Sequence, residues 1–148
     1  MIFNLNIWAT PERDGIPYAV ADGCELPLRG QSIDLAFSNS VVEHLGSFEN
    51  QSRFAAEMLC VGKRVYCQTP SRSFPIDPHL SAFFLHWLPQ SFLRPIFLRY
   101  FTLNGWLLGC PYRYNVTCLS KKNFHQIFRS TIETERFLGL PKSFVVTR

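Results

Sequence analysis

Absences narrow the chain first. Its 148 residues contain five cysteines, Cys24, Cys60, Cys67, Cys110 and Cys118, an odd number with no Cys-x-x-Cys pair. That pattern suggests neither a metal site nor a disulfide framework, and reduced thiols in a cytoplasmic protein are the simplest account. No block of consecutive Lys or Arg exceeds the pair Lys121-Lys122, and the net charge is a mild +4. Nucleic-acid binding, which needs a clustered basic face, is therefore not indicated. The opening MIFNLNIW has neither the charged region nor the long apolar core of a secretory signal. No stretch approaches the roughly twenty apolar residues of a spanning helix. Internal repeats, low-complexity tracts and interdomain linkers are missing as well.

What is present fits one globular domain over 1–148. Hydrophobic residues make up 47% and charged residues 18%, a balance that excludes disorder. This length supports one core. Ile2 to Ile7 alternates apolar residues with asparagine and reads as a strand ending near Asn6. Pro11 to Gly15 is a turn-rich connection. Tyr18–Ala21 and Ile33–Phe37 are short apolar runs bounded by turn residues, the pattern of buried parallel strands. Glu49 to Val61 carries Phe54, Met58 and Val61 at helical spacing, with Gly62 where a C-cap is expected. Lys63 to Thr69 alternates with β-branched and aromatic residues as a strand does. Ser120 is placed to N-cap a helix running to about Thr131, with Phe124, Ile127 and Phe128 on one face. Ile132 to Leu138 and Ser143 to Thr147 read as two strands joined at Gly139-Leu140-Pro141.

The most specific stretch is Ile16 to Leu45. Asp22, then Leu26-Pro27, then Ile33-Asp34, then Glu43-His44-Leu45 occur in an order and spacing that resemble the class I S-adenosylmethionine-dependent methyltransferases, in their small-molecule branch. Similarity returns in Phe137 to Phe144. The resemblance implies an α/β, Rossmann-like sheet, mostly parallel with an antiparallel C-terminal strand pair, and S-adenosyl-L-methionine as cofactor. In such sheets ligands bind just past the carboxyl ends of the strands. Those ends are Asp22-Gly23-Cys24 and Ser38-Asn39-Ser40.

Carried onto this chain, the resemblance has Asp22 accept a hydrogen bond from the adenine amino group, with Gly23 and Cys24 supplying backbone contacts. Ser38 and Asn39 would line the cofactor. A family acidic residue that holds the ribose hydroxyls falls at Asn4 or Asn6, which are uncharged; a solvated asparagine is the competing reading. Asp22 has a competing reading too, as a residue that caps its own turn. Asp34 is expected to be structural, bonding back to neighbouring backbone. His44 is a candidate base or acceptor contact beside Glu43, since a neutral imidazole suits proton removal near pH 7. The alternative is a histidine packed against the sheet and a glutamate that positions a loop.

One family feature has no counterpart. The glycine-rich turn, Asp/Glu-x-Gly-x-Gly after a first strand, is not found, because Gly15, Gly23 and Gly30 stand alone. The chain is thus expected to be a methyltransferase fragment whose first strand-turn-helix unit is missing. An incomplete sheet exposes unpaired backbone and invites self- or partner-association.

Leu80 to Gly109 is densely aromatic, with Phe83, Phe84, Trp87, Phe92, Phe97, Tyr100, Phe101 and Trp106, and is broken by Pro89 and Pro95. A helical insertion at about 79–110 would form a lid over a small-molecule or lipid-linked acceptor, faced by Arg72, His79 and His86. The same stretch also suits a peripheral membrane contact, or an ordinary helical cap.

Overall fold

The computed structural model describes residues 2–7, 16–77, 82–83 and 116–148. His79, His86, the Pro11 to Gly15 turn and nearly all of the 79–110 insertion lie outside these residues.

The described chain builds three sheets. Strands β1 (Asn4–Asn6) and β2 (Tyr18–Val20) form a parallel pair. Strands β3 (Ala36–Asn39) and β4 (Val65–Pro70) are parallel neighbours in a mixed four-stranded sheet. Its remaining members are β7 (Ile132–Phe137) and β8 (Leu140–Thr147), in the order β3-β4-β8-β7, with both β4–β8 and β8–β7 antiparallel. The expected antiparallel C-terminal pair is thus present. A minimal pair, β5 (Ile76–Asp77) and β6 (Ala82–Phe83), lies between these regions in sequence.

Two helices cover one face of the larger sheet. Helix α1 (Phe48–Val61) starts at Ser47, whose hydroxyl accepts the Asn50 amide at 3.1 Å and so satisfies an orphan donor of the first turn. Helix α2 (Lys121–Phe128) starts the same way, with Ser120 accepting from Asn123. It ends three residues before Thr131, because Arg129 turns left-handed at φ 49° and breaks the ladder. Phe54, Ala55 and Met58 of α1 and Phe124 and Phe128 of α2 pack with Val65, Cys67, Ile132, Phe144 and Val146 into the core.

Strand alternation sets that face: Cys67 pairs with Val146, and Val146 with Ile132, so all three point at the helices. On the other face Phe37 and Tyr66 stack at 5.1 Å, and Phe37 stays 65% exposed.

Several local expectations change. The third strand begins at Ala36 rather than Ile33; Ile33 forms only an isolated bridge to Gly62. Asp34 therefore precedes the strand and is exposed, and its Oδ1 takes Lys63 Nζ at 2.8 Å. Gly62 is not a left-handed cap. Its φ is −88°, and glycine is required because a Cβ would meet the Arg64 carbonyl at 2.7 Å and Ala36 Cβ at 2.9 Å. The C-terminal turn is Leu138-Gly139, a two-residue loop with φ of 49° and 80°, while Leu140 and Pro141 already belong to β8. Finally, the runs Tyr18–Ala21 and Ile33–Phe37 are not buried as expected: Val20, Leu35 and Phe37 are exposed. Neither β1 nor β3 has a described neighbour on its second edge, and no residue of β1 or β2 enters the core.

Candidate functional site

Because β3 and β4 are parallel, their carboxyl ends emerge at one edge of the sheet, where Ser38, Asn39, Ser40, Ser71 and Arg72 gather. Ser40 is held there by two bonds to one residue, its amide to the Gln68 carbonyl at 3.0 Å and its hydroxyl to Gln68 Oε1 at 3.2 Å. Its φ of 54° turns the chain sharply out of the sheet. Asn39 is exposed, while Ser38 is buried beside Cys67. Burial pushes the Cys67 thiol up to about 12; the Ser38 hydroxyl bond opposes that shift and the Glu43 carboxylate adds to it.

The chain then makes a 3-10 turn, Val42–Leu45, which carries both candidate catalytic groups. They part company. Glu43 is fully buried, and its Oε2 accepts the Thr69 hydroxyl at 3.0 Å. Its carbonyl accepts the Thr117 amide at 2.7 Å. Gln51 of α1 donates to the carbonyls of Val42 and Thr117, and the Thr117 hydroxyl donates to the Gly46 carbonyl at 3.0 Å. Glu43 thus ties the turn to β4 and to the segment that leads into α2. His44 is exposed one residue later, its amide bonded to the Val41 carbonyl at 2.9 Å.

Sequence reasoning missed Gln51, Thr69 and Thr117 as members of this network. The signal for Gln51 was present: it precedes Phe54, Met58 and Val61 on the same buried helical face, and a polar residue on an apolar stripe needs partners. Nothing local marks Thr69 or Thr117, whose partners lie far away in the chain.

Past β2, Asp22 Oδ1 accepts the Cys24 amide at 2.8 Å and the Asp22 carbonyl accepts the Glu25 amide at 3.0 Å, closing a turn. Asp22 does cap its own turn, yet it stays exposed, and a carboxylate has acceptor capacity beyond one amide. Cys24 is committed: its amide goes to Asp22, its thiol is buried and donates to the Asn50 carbonyl at 3.4 Å. Burial raises its pKa first, the Asp22 charge second. Gly23 sits against the Phe54 ring, which a Cβ would meet at 2.8 Å. Asn6 is exposed at the carboxyl end of β1, where its carbonyl accepts the Ala21 amide. Arg72 is exposed past β4, its amide bonded to the Leu119 carbonyl at 3.1 Å. Among the described residues, no group of His, Cys, Asp and Glu is placed to hold a metal, and no helix is long and apolar enough to cross a membrane.

Residues 4–64 match the family model of a methyltransferase domain. Solved structures share the fold across most of the chain. A S-adenosylmethionine-dependent methyltransferase from Methanosarcina mazei matches with a TM-score of 0.53 and 11% identity, covering 89% of this chain and 66% of that one. A S-adenosylmethionine-dependent methyltransferase from Thermotoga maritima matches at 0.50 and 13%, covering 90% and 63%. A protein from Rhodobacter sphaeroides named for zinc-dependent alcohol dehydrogenases matches at 0.54 and 13%, covering 89% and 65%. No curated protein matches. Likeness at such identities carries the fold alone, and the chain spans less than two thirds of each of these relatives. The chain thus carries a stretch, 4–64, similar to a methyltransferase domain, within a fold that solved methyltransferase structures share.

Proposed function

We propose that this chain is the carboxyl-terminal part of an enzyme that transfers a methyl group from S-adenosyl-L-methionine to a small-molecule or lipid-linked acceptor. The observation that carries the reading is the methyltransferase-domain match over 4–64, which covers both candidate cofactor-binding turns. When bound, the cofactor supplies an electrophilic methyl group on a sulfonium.

The residues fit that role in part. Asp22 offers an exposed carboxylate for the adenine amino group, and Asn39 an exposed amide at the end of β3. Cys24 contributes a packed turn rather than a free amide. Methyl transfer depends mostly on holding donor and acceptor in line, and a base matters only where the acceptor loses a proton. The exposed His44 is the candidate base, Glu43 the residue that fixes the turn presenting it, and Arg72, His79 and His86 the acceptor-facing groups. The glycine-rich turn that the resemblance implies would be supplied from outside residues 1–148. Calorimetry with S-adenosylhomocysteine tests this: the 148-residue chain should show no measurable binding, and a chain extended by the missing unit should bind. Tight binding by the 148-residue chain would reject the split of the site.

A second reading has its own observation. The β3 edge, which has no partner strand among the described residues, is uncharged, which suits strand pairing with another protein and a non-catalytic role. A strictly monomeric state in light scattering would count against it.

A further inference from the structure

We propose that the tip of the β7–β8 hairpin is a membrane-docking element that places Leu138 in the interface of an anionic bilayer. The chain reverses here through Leu138-Gly139, both left-handed in backbone, the type I′ pattern that matches strand twist. Asn, Asp or Gly adopt that conformation readily at the first of the two positions; leucine does so at a cost in stability. Leu138 is also 87% exposed, with Phe137 and Leu140 exposed beside it. Phe74 meets Phe137 edge-to-face at 6.4 Å and extends the apolar tip. A residue that is strained, apolar and solvated at once gains nothing from the isolated fold.

Basic side chains outnumber acidic ones around the tip. Arg136 Nη1 donates to the Gly139 carbonyl at 2.9 Å, and Lys142 is exposed on the facing strand. The nearest acid on these strands, Glu135, accepts the Ser143 hydroxyl. Arg72 is exposed on the adjoining segment, where the Ser71 amide bonds the Lys142 carbonyl. Since Pro70 pairs with Ser143, the tip projects past the carboxyl end of β4. A convex point formed by a two-residue turn offers far less area than the roughly 800 Å² per partner of a stable protein interface. A bilayer needs no such complementarity: acyl chains take the leucine, and phosphates take the collar of basic side chains.

Flotation of the full chain with phosphatidylcholine vesicles, with and without phosphatidylserine, tests this. Binding should favour the phosphatidylserine vesicles and weaken with added salt. Leu138→Asn should lower partitioning about tenfold by removing a buried leucine side chain. It should melt no earlier than the parent, because asparagine suits the turn, so loss of binding is not loss of fold. Lys142→Gln should lower partitioning about fivefold. A parent chain that fails to float on either vesicle overturns the proposal. So does a Leu138→Asn variant that floats like the parent, or a Leu138-dependent dimer in light scattering without vesicle binding.

Discussion

At one side of the four-stranded sheet, β7 carries Glu133, Glu135 and Arg136 along Ile132–Phe137, and a bulge between Glu135 and Arg136 bends it. At the other side, β3 runs Ala36–Asn39 with no charge at all, Leu35 and Phe37 exposed around it. Charges and bulges keep an edge from pairing with another chain, while a flat apolar edge invites a neighbour. Among the described residues, the sheet therefore has one charged, bulged edge and one uncharged edge without a partner strand. The β3 side also joins the candidate site: Ser38, Asn39 and the Val42–Leu45 turn grow directly from it. Its order rests on Glu43 and Gly62, whereas the β7 side rests on hairpin pairing and the aromatic core.

The sharpest way to break the β3 side is Glu43→Ala. It strips the Thr69 hydroxyl and the buried turn of a charged acceptor, and a loss of about 3 kcal/mol is expected in urea unfolding. Hydrogen exchange should rise first around residues 38–46 and 117, with β7–β8 still protected; uniform loosening would mean that the two sides are one cooperative unit. Gly62→Ala comes next, at about 2 kcal/mol, because the new methyl group meets the Arg64 carbonyl and Ala36. No loss there would show that β3 shifts freely away from α1.

Cys67 sharpens the comparison through pH. Its folded pKa is about 12 against an ordinary 9.0, so the unfolded chain releases the proton first. Stability is then full below pH 9 and falls as pH rises toward 12, by up to a few kcal/mol. Cys67→Ala should flatten that alkaline slope in denaturant titrations at pH 8 to 11; an unchanged slope would assign it elsewhere. The smallest effect on folding should come from the edges themselves. Phe37→Lys and Glu133→Val should each change stability by about 0.5 kcal/mol or less. Self-association in light scattering should drop for the first and grow for the second. The opposite ranking would remove the distinction between the edges.

Much of this architecture was legible in the residues. The apolar stripe Phe54, Met58, Val61 predicts α1 within a residue, and Ser120 predicts the start of α2, because both signals are local: helical periodicity and a capping hydroxyl. The β7–β8 pair was readable, its turn was not. Glycine and proline pointed to Gly139-Leu140-Pro141, and only pairing of Phe137 with Leu140 put Leu138 in the loop. Asp22 was readable at the end of β2, with both of its competing roles.

By itself, then, the sequence determined the order of elements, the helix faces and the likeness of 4–64 to a methyltransferase domain, since each depends on neighbours within a few turns of chain. Tertiary structure alone decided that Glu43 is an internal tie and His44 an exposed group. Adjacent residues in one 3-10 turn point in different directions, and only Thr69 and Thr117, brought in from β4 and the approach to α2, determine which of the two is enclosed.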